Sequence, residues 1–220
     1  MPDPKQRPQW ERQFSQVVRT ELDKIRPSVD RGPLSVNWPS LNDGLKTALV
    51  EPYREAFIAA FLILWFDKGL RSRDFQPPNM TPADVLPQAQ RYAETMAGGL
   101  AGEITTQTAA SVRGAVDGST GEVVDNSKVA SAFGLKRIER IGVTETTRTI
   151  SAGELAARDE LQRIAENGII GRWITERDAK VCPICRPLDG KAESIWAQQF
   201  PDGPPAHPNC RCTILYEVDK

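Results

Sequence analysis

Apolar residues in the first part of the chain recur at the spacing of a helix. Within residues 9–26 they stand three or four positions apart, which places them on one helix face. They are Phe14, Val17, Val18, Leu22 and Ile25. Because the residue before a proline is disfavoured in the helical conformation, we expect this first helix to end at Arg26-Pro27.

A second helix is predicted over residues 45–69, after a glycine- and proline-rich stretch, residues 31–43, that is typical of a loop. The second half of this helix is apolar on every face, so it must be covered by the chain's own helices or by an oligomeric partner. The longest apolar run, residues 56–66, is 11 residues long. Since about 20 are needed to cross a bilayer, we expect no membrane contact.

A third helix is predicted to begin at Thr81, which is a good N-cap, with Pro82 at the first helical position. Pro87 lacks the amide hydrogen that a helix interior uses, and it predicts either a kink just before it or a later start at Pro87 itself. The apolar stripe continues to about Val116. Residues 117–121 are rich in turn formers and predict a boundary between a helical N-terminal region and a C-terminal part.

The C-terminal part is expected to contain two helices and two strands. A short helix is predicted at residues 127–133, and a longer one at about residues 144–166 with Asn167-Gly168 as its C-terminal cap. Residues 169–175 alternate weakly between apolar and polar, and residues 213–218 are β-branched and aromatic. Both segments therefore predict strands.

The strongest chemical signal is a cluster of cysteines near the end of the sequence. All four cysteines and the only histidine fall within the last 39 residues. The two segments read Cys182-Pro183-Ile184-Cys185 and, 21 residues later, His207-Pro208-Asn209-Cys210-Arg211-Cys212. Residues 1–5 lack the charged-then-apolar order of a secretory signal, so we expect synthesis in a reducing cytoplasm. Clustered cysteines favour a metal over disulfides there.

The spacing of these donors fits a tetrahedral Zn²⁺ site. A gap of two residues lets a tight turn bring Cys182 and Cys185 to about 2.3 Å from one zinc ion. His207 and Cys210 have the same gap, whereas Cys212 is an alternative to His207 because Cys210 and Cys212 would share one face of an extended strand. Four protein ligands leave no position for water, so the predicted zinc is structural. A reduced, metal-free cluster and a redox Cys-x-x-Cys are the other interpretations.

These elements predict a mainly α fold. A helical N-terminal part precedes a small α+β C-terminal domain that has few short strands and is stapled by zinc. We place the helical N-terminal region at residues 1–117, a linker with a short helix at residues 118–135, and the C-terminal domain with the Cys/His cluster at residues 136–220.

Three segments of this C-terminal part resemble the phage Mu F-like minor head proteins, also called the phage head morphogenesis family. The first segment is Ile141-Gly142-Val143-Thr144-Glu145-Thr146-Thr147-Arg148. The second is Trp173-x-Thr175-x-x-Asp178-x-x-x-Cys182-Pro-x-Cys185, with Leu188-Asp189-Gly190 after it. The third is Pro204-Pro205-Ala206-His207-Pro208-Asn209-Cys210-Arg211-Cys212, followed by the second strand. The resemblance covers residues 136–218.

The resemblance implies a low-copy structural protein of a tailed-phage or prophage head, and not an enzyme. Such a protein would be assembled in the host cytoplasm and carried in the virion, inside the capsid near the portal. Its implied partners are the portal oligomer, capsid or scaffold proteins and the packaged DNA. We expect it to aid head assembly and DNA packaging or delivery, with residues 1–117 docking on the portal or capsid.

Two other functions are compatible with a zinc cluster. An HNH-like nuclease needs a histidine base and further side chains for a catalytic metal, whereas His207 is the only histidine and already belongs to the cluster. A zinc-containing DNA-binding protein would use the basic residues near the cluster. These are Arg172, Arg177, Lys180, Arg186, Lys191 and Arg211. Residues 136–220 hold 13 basic and 13 acidic side chains, so DNA contact is expected to be local and secondary.

Four further side chains near the cluster are expected to be structural. Asp178 and Asp189 precede turns, where a carboxylate commonly caps backbone amides, and we do not interpret them as a catalytic pair. Trp173 and Trp196 bracket the first cysteine pair. We expect both to be buried against the two strands rather than exposed for stacking on bases.

Overall fold

The structure is a computed structural model that describes residues 6–70, 75–165, 168–176 and 181–219. The described helices are α1 (Arg7–Arg31), α2 (Trp38–Trp65), α3 (Pro82–Arg113), α4 (Asn126–Ala132), α5 (Leu135–Ile164) and α6 (Glu193–Trp196). The described strands are β1 (Ile169–Ile174) and β2 (Thr213–Val218). Short 3₁₀ turns lie at Pro33–Ser35, Lys68–Leu70 and Arg186–Leu188. The predicted mainly α fold with a small C-terminal sheet is confirmed.

Helix α1 continues past Pro27 to Arg31, so the predicted end at Arg26-Pro27 is wrong. Pro27 is exposed, and the hydrogen bond that it cannot donate is lost on the solvent side of the helix. The extra turn buries Val29 against Val36 in a small apolar cluster. Burial of Val29 offsets the missing hydrogen bond, which explains why the helix is not broken.

Helix α2 begins at Trp38, so the prediction of a loop through residue 43 is wrong for its second half. The side chain of Asn37 caps the helix by accepting a hydrogen bond from the amide of Ser40 at 3.2 Å. Pro39 lies in the first turn, where a proline is tolerated because the amide of that position has no helical partner. The composition that suggested a loop therefore belongs to a helix start. The helix ends at Trp65, slightly before the predicted residue 69.

Helix α3 starts as predicted. Thr81 and Asp84 form a reciprocal capping box, and Pro82 lies in the first turn. The helix runs through Pro87 without a later start and ends at Arg113, close to the predicted end of the apolar stripe. Helix α4 lies within a residue of its prediction.

Helix α5 begins at Leu135, well before the predicted residue 144, so the predicted start is wrong. The added turns carry the apolar residues Leu135, Ile138, Ile141 and Val143, and Ile138 is buried against the helices of the N-terminal half. The last helical residue is Ile164. The predicted cap at Asn167 lies outside the described residues.

Helix α2 lies at the centre of the molecule and contacts α1, α3 and α5. In its apolar half Phe57, Phe61 and Leu64 are buried in one cluster with residues of α3, α5 and both strands. The chain's own elements therefore supply much of the cover that an all-round apolar helix demands. Within the described ranges, no helix combines the length and the apolar character needed to cross a membrane.

Glycines let α5 approach its neighbours closely. A Cβ atom at Gly153 would lie 2.6 Å from the carbonyl oxygen of Phe57 and 3.0 Å from the Cβ of Ala60, both on α2. A Cβ at Gly142 would lie 2.6 Å from the carbonyl oxygen of Glu11 on α1. Packing thus crosses residue 117, where the sequence predicts a boundary. The division into an N-terminal region, a linker and a C-terminal domain stays a prediction.

We expect Gly153→Ala to lower the free energy of unfolding by about 1–3 kcal/mol, because the added methyl group overpacks the contact between α5 and α2. Gly99→Ala is the control, since Gly99 is an exposed helical position with no atom within 4 Å of an added Cβ. There the loss of glycine should stabilise the chain by up to about 1 kcal/mol. Urea unfolding measures both variants, and effects of the same sign would contradict the close packing of α5.

The two strands pair antiparallel, with Trp173 of β1 opposite Ile214 of β2. Both predicted strands are confirmed. Helix α6 places Trp196 beside Trp173 with ring centroids 5.9 Å apart, and the Trp196 indole donates a hydrogen bond to the carbonyl of Gly171 at 3.2 Å. Both tryptophans are fully buried, so the predicted burial against the strands is confirmed.

Candidate metal centre

The first pair of cysteines lies on a tight turn between β1 and the Arg186–Leu188 3₁₀ turn. The amide of Cys185 donates a hydrogen bond to Sγ of Cys182 at 3.3 Å, and the amide of Arg186 donates to the carbonyl of Cys182 at 3.0 Å. The amide contact fixes the position of the Cys182 sulfur within the turn. The turn therefore prepares Cys182 as a ligand.

The second group of donors lies on a similar turn just before β2. The amide of Cys210 donates to the carbonyl of His207 at 3.2 Å, and Asn209 between them adopts a positive φ of 66°. Asparagine tolerates this left-handed conformation better than most side chains. Cys212 follows the turn and directly precedes β2.

The two turns meet, and all five predicted donors come together. Nε2 of His207 lies 3.0 Å from Sγ of Cys182 and 3.3 Å from Sγ of Cys185. Sγ of Cys185 lies 3.8 Å from Sγ of Cys210, which equals the edge of about 3.8 Å that a tetrahedron with Zn–S bonds of about 2.3 Å requires. The donors of Cys182, Cys185 and His207 lie within 4.8 Å of one another, as do those of Cys185, Cys210 and Cys212.

The chemistry of these donors fits zinc. Thiolate and imidazole are the ligands that Zn²⁺ takes in structural sites, and neither group of described donors contains a carboxylate, which Mg²⁺ and Ca²⁺ prefer. The donors line a cleft of about 130 Å³, in which Cys185, Cys210 and Cys212 are buried and Cys182 and His207 are partly accessible. This cluster of described residues can hold a metal ion.

The electrostatics of the thiols are uneven. A hydrogen bond from the Cys212 side chain, helped by the backbone amides of Cys212 and Ala206, lowers the pKa of Cys210 to about 5. Burial raises the pKa of Cys185 to about 12, and the nearby Cys210 adds to that rise. The hydrogen bond to Cys210 raises the pKa of Cys212 strongly. These surroundings favour ionisation of Cys210, and a bound cation would favour ionisation of Cys185 and Cys212.

Helices α5 and α1 hold the second turn from beneath. Thr147 donates a hydrogen bond to the carbonyl of Cys210 at 2.6 Å, and the amide of Asn209 donates to Oγ1 of Thr144 at 2.8 Å. Arg7 donates to the carbonyl of Arg211 at 3.2 Å and also to the hydroxyl of Thr147. Sequence reasoning missed these supports, because no spacing pattern links α5 and α1 to residues 207–212.

Asp189 caps a backbone amide, as the sequence predicts. Oδ1 of Asp189 accepts hydrogen bonds from the amide of Thr175 at 2.9 Å and from its hydroxyl at 3.1 Å. This ties the loop after the first turn to the end of β1. Asp178 lies outside the described residues, so its predicted structural role is not tested.

The basic side chains near the cluster that the structure describes differ in their surroundings. Arg172 pairs with Glu217 at 3.1 Å across the sheet. Arg186, Lys191 and Arg211 are exposed. Arg177 and Lys180 lie outside the described residues. The arrangement therefore offers no support for a DNA groove beyond the isolated exposed cations.

The sequence of the chain matches a known protein family. Residues 91–215, more than half of the chain, match the family described as phage Mu protein F like protein. The chain belongs to this family. The matched range begins in the middle of α3, earlier than the resemblance from residue 136 onward suggested, and it ends within β2. No curated protein and no solved structure matches the chain.

The Mu F-like region is fixed to α2 by a buried polar contact. Glu145 and Arg148, whose spacing of three residues predicts a pair, lie 2.7 Å apart, and the hydroxyl of Tyr53 donates to Glu145 at 2.5 Å. Burial raises the pKa of Glu145, while the Arg148 charge opposes that rise. The contact orients α5, which in turn carries the threonines beneath the cysteine turn.

Glu154, a second carboxylate on α5, is buried with fewer polar partners than Glu145. Glu154 is 1% exposed, and its Oε2 makes no hydrogen bond within the described part of the chain. Burial raises the pKa of Glu154 to about 8, although the charge of Arg7 lowers it somewhat. In the unfolded chain the same group titrates near 4.5. The folded state therefore holds a proton that the unfolded state has released.

We expect this proton to make the free energy of unfolding fall as pH rises from about 4.5 to about 8, because the folded state binds more protons in that range. Glu154→Gln removes the titration and should stabilise the chain by about 1–3 kcal/mol above pH 8, less at pH 5. Urea unfolding of the variant and the unchanged chain across this pH range gives the difference, in which contributions from other groups cancel. A pH-independent difference would contradict the buried, protonated carboxyl.

Proposed function

We propose that the chain is a structural minor head protein of a tailed phage or prophage that lies inside the capsid and binds the portal. Membership of the Mu F-like family, a phage head morphogenesis family, is the observation that carries this proposal. The expected partners are the portal oligomer and capsid or scaffold proteins, with packaged DNA as a local contact. Its role is to aid head assembly and DNA packaging or delivery.

The Cys/His cluster supports this role as a structural zinc centre. Cys182, Cys185 and Cys210 supply three ligands, and either His207 or Cys212 supplies the fourth. When bound, zinc cross-links the turn after β1 to the turn before β2, and so closes the intervening loop on the sheet. Small domains with few strands commonly need such a staple, because their apolar core is limited.

A non-catalytic role fits the chemistry of the chain better than a nuclease. The only histidine in the sequence lies with its Nε2 against two cysteine sulfurs, so it is not free to act as a base on a substrate. Four protein ligands would leave zinc no position for an activated water. The carboxylate of Asp189, near the cluster, accepts a hydrogen bond from the backbone amide of Thr175.

Deletion of the gene from the phage or prophage that encodes the chain tests the proposal. Complementation with the unchanged chain should restore full heads and DNA delivery, whereas Cys182→Ser should leave heads that lack this protein or fail to deliver DNA. Normal infectious particles from the deletion would contradict the proposal.

A nuclease assay separates the alternative function. Purified protein with Mg²⁺ or Mn²⁺ should leave supercoiled DNA uncut. Specific cleavage that His207→Ala abolishes would favour the HNH-like nuclease instead.

A further inference from the structure

Five donors surround a site at which zinc takes four ligands, so one donor lies outside the coordination sphere. We infer that His207 is the fourth ligand and that Cys212 is the donor left out. This inference rests on the proposed zinc centre and concerns only which side chains hold the metal.

The two turns place their ligands at the same spacing when His207 is the ligand, although their backbone hydrogen bonds differ by one residue. In the first turn the ligands are residues 182 and 185, and the amide after the turn bonds back to the carbonyl of the first ligand. In the second turn the amide of Cys210 bonds back to the carbonyl of His207, three residues earlier. A tight turn of this length brings the first and fourth side chains to the same side. Cys212 lies beyond the turn, so this backbone geometry does not direct it to the metal.

The imidazole is oriented as a ligand. Its Nδ1 lies 2.8 Å from the carbonyl oxygen of Pro208, an acceptor, so Nδ1 carries the proton and Nε2 presents its lone pair. That lone pair faces the sulfurs of both Cys182 and Cys185. Three electron-rich atoms converge there, and a cation between them is the arrangement that satisfies all three. An imidazole held by a carbonyl at its other nitrogen is typical of histidines bound to zinc.

Cys212 has the surroundings of a core residue. It is 6% exposed and belongs to the same apolar cluster as Trp173 and Trp196, a cluster that also contains Cys185 and Cys210. A free cysteine in such a position acts as a small apolar side chain. Its sulfur lies within 4.8 Å of those of Cys185 and Cys210, and neither Cys210 nor Cys212 belongs to the group that Cys182, Cys185 and His207 form.

The charge of the centre also favours the imidazole. Three thiolates and a neutral imidazole leave the zinc complex with a net charge of −1, whereas four thiolates leave −2. Burying the second negative charge beside the tryptophans costs free energy, and the cations next to the ligands in sequence, Arg186 and Arg211, are exposed to solvent. The ligand set with His207 therefore needs less compensation.

Zinc affinity of the full-length chain, measured by competition with a chromophoric chelator, tests the inference. Cys212→Ala should bind zinc within about 3-fold of the unchanged chain, whereas His207→Ala should bind it on the order of 100-fold more weakly. Because His207→Ala can also lose affinity through misfolding, a spectroscopic arm uses Co²⁺ in place of zinc. The sulfur-to-cobalt absorption scales with the number of bound thiolates.

The cobalt spectra should be equal in the unchanged chain and in Cys212→Ala, since three thiolates bind in both. His207→Cys should retain the metal and raise the absorption by about one third, because four thiolates replace three. If the sulfur-to-cobalt absorption of Cys212→Ala fell by about one quarter, the assignment of His207 would be overturned while the zinc centre remained. Loss of metal from Cys212→Ala, together with normal metal binding by His207→Ala, would have the same meaning. An unchanged chain that binds no metal would overturn the zinc centre and the assignment together.

Discussion

Replacing Cys182 with serine should remove the metal and unfold the C-terminal part of the chain. The free energy with which zinc binding couples to folding is on the order of 10 kcal/mol in small zinc domains, which exceeds any single packing contribution in this molecule. The hydroxyl of serine stays protonated near neutral pH and cannot replace the thiolate ligand that zinc takes. We expect Cys182→Ser to bind less than about 0.2 equivalents of zinc and to lose the protected amides of β2 in hydrogen exchange.

The neighbouring Ile184 provides a matched control, because it lies in the same turn and is 51% exposed. Ile184→Ser introduces the same side chain without removing a donor, and its effect on unfolding should stay within about 0.5 kcal/mol. A chelator should lower the melting temperature of the unchanged chain and of Ile184→Ser, but not that of Cys182→Ser. Unchanged melting of the wild-type chain with a chelator would contradict a structural metal.

Trp173→Ala should have the next largest effect, a loss of about 3–5 kcal/mol in the free energy of unfolding. Trp173 is fully buried, and its ring packs against Trp196 at 5.9 Å and Phe200 at 5.6 Å between centroids. The alanine leaves a cavity between the sheet and α6. Because Trp173 shares its cluster with Cys210 and Cys212, we also expect weaker zinc binding.

Ile195→Ala is the control for this prediction, since Ile195 lies on α6 and is 53% exposed. Its change should stay within about 0.5 kcal/mol, as is usual for a surface substitution. Urea unfolding at fixed free zinc compares the two variants. A small effect of Trp173→Ala would mean that the sheet and α6 do not form the core that supports the cysteine turns.

Hydrophobic periodicity located the long helices and both strands, because burial of one face imposes the same spacing on sequence and structure. Hydrophobic periodicity did not locate the ends of α1 and α5, because tertiary packing determines where these helices end. Pro27 is tolerated inside α1 because Val29 gains burial, and α5 extends to Leu135 because Ile138 packs on distant helices. Such tertiary contacts have no local signature in the sequence.

At the candidate metal site, the donors could be predicted from the sequence, but the side chains that support them could not. The five donors could be predicted because metal coordination fixes a spacing of two residues within each turn. The supports from Thr144, Thr147 and Arg7 could not, because they join backbone atoms of the second turn to helices far away in sequence. In the sequence, residues 141–148 on α5 indicated only a family resemblance. In the structure, the threonines of this segment bind the turn that carries Cys210.

The proposed binding to the portal can be tested by purifying the portal oligomer from cells that are assembling the phage. Mass spectrometry then identifies the proteins bound to it. We expect this chain to copurify with the portal ring and to be retained in DNA-filled heads. Recovery of the chain only outside heads, and without the portal, would contradict its assignment as a minor head protein.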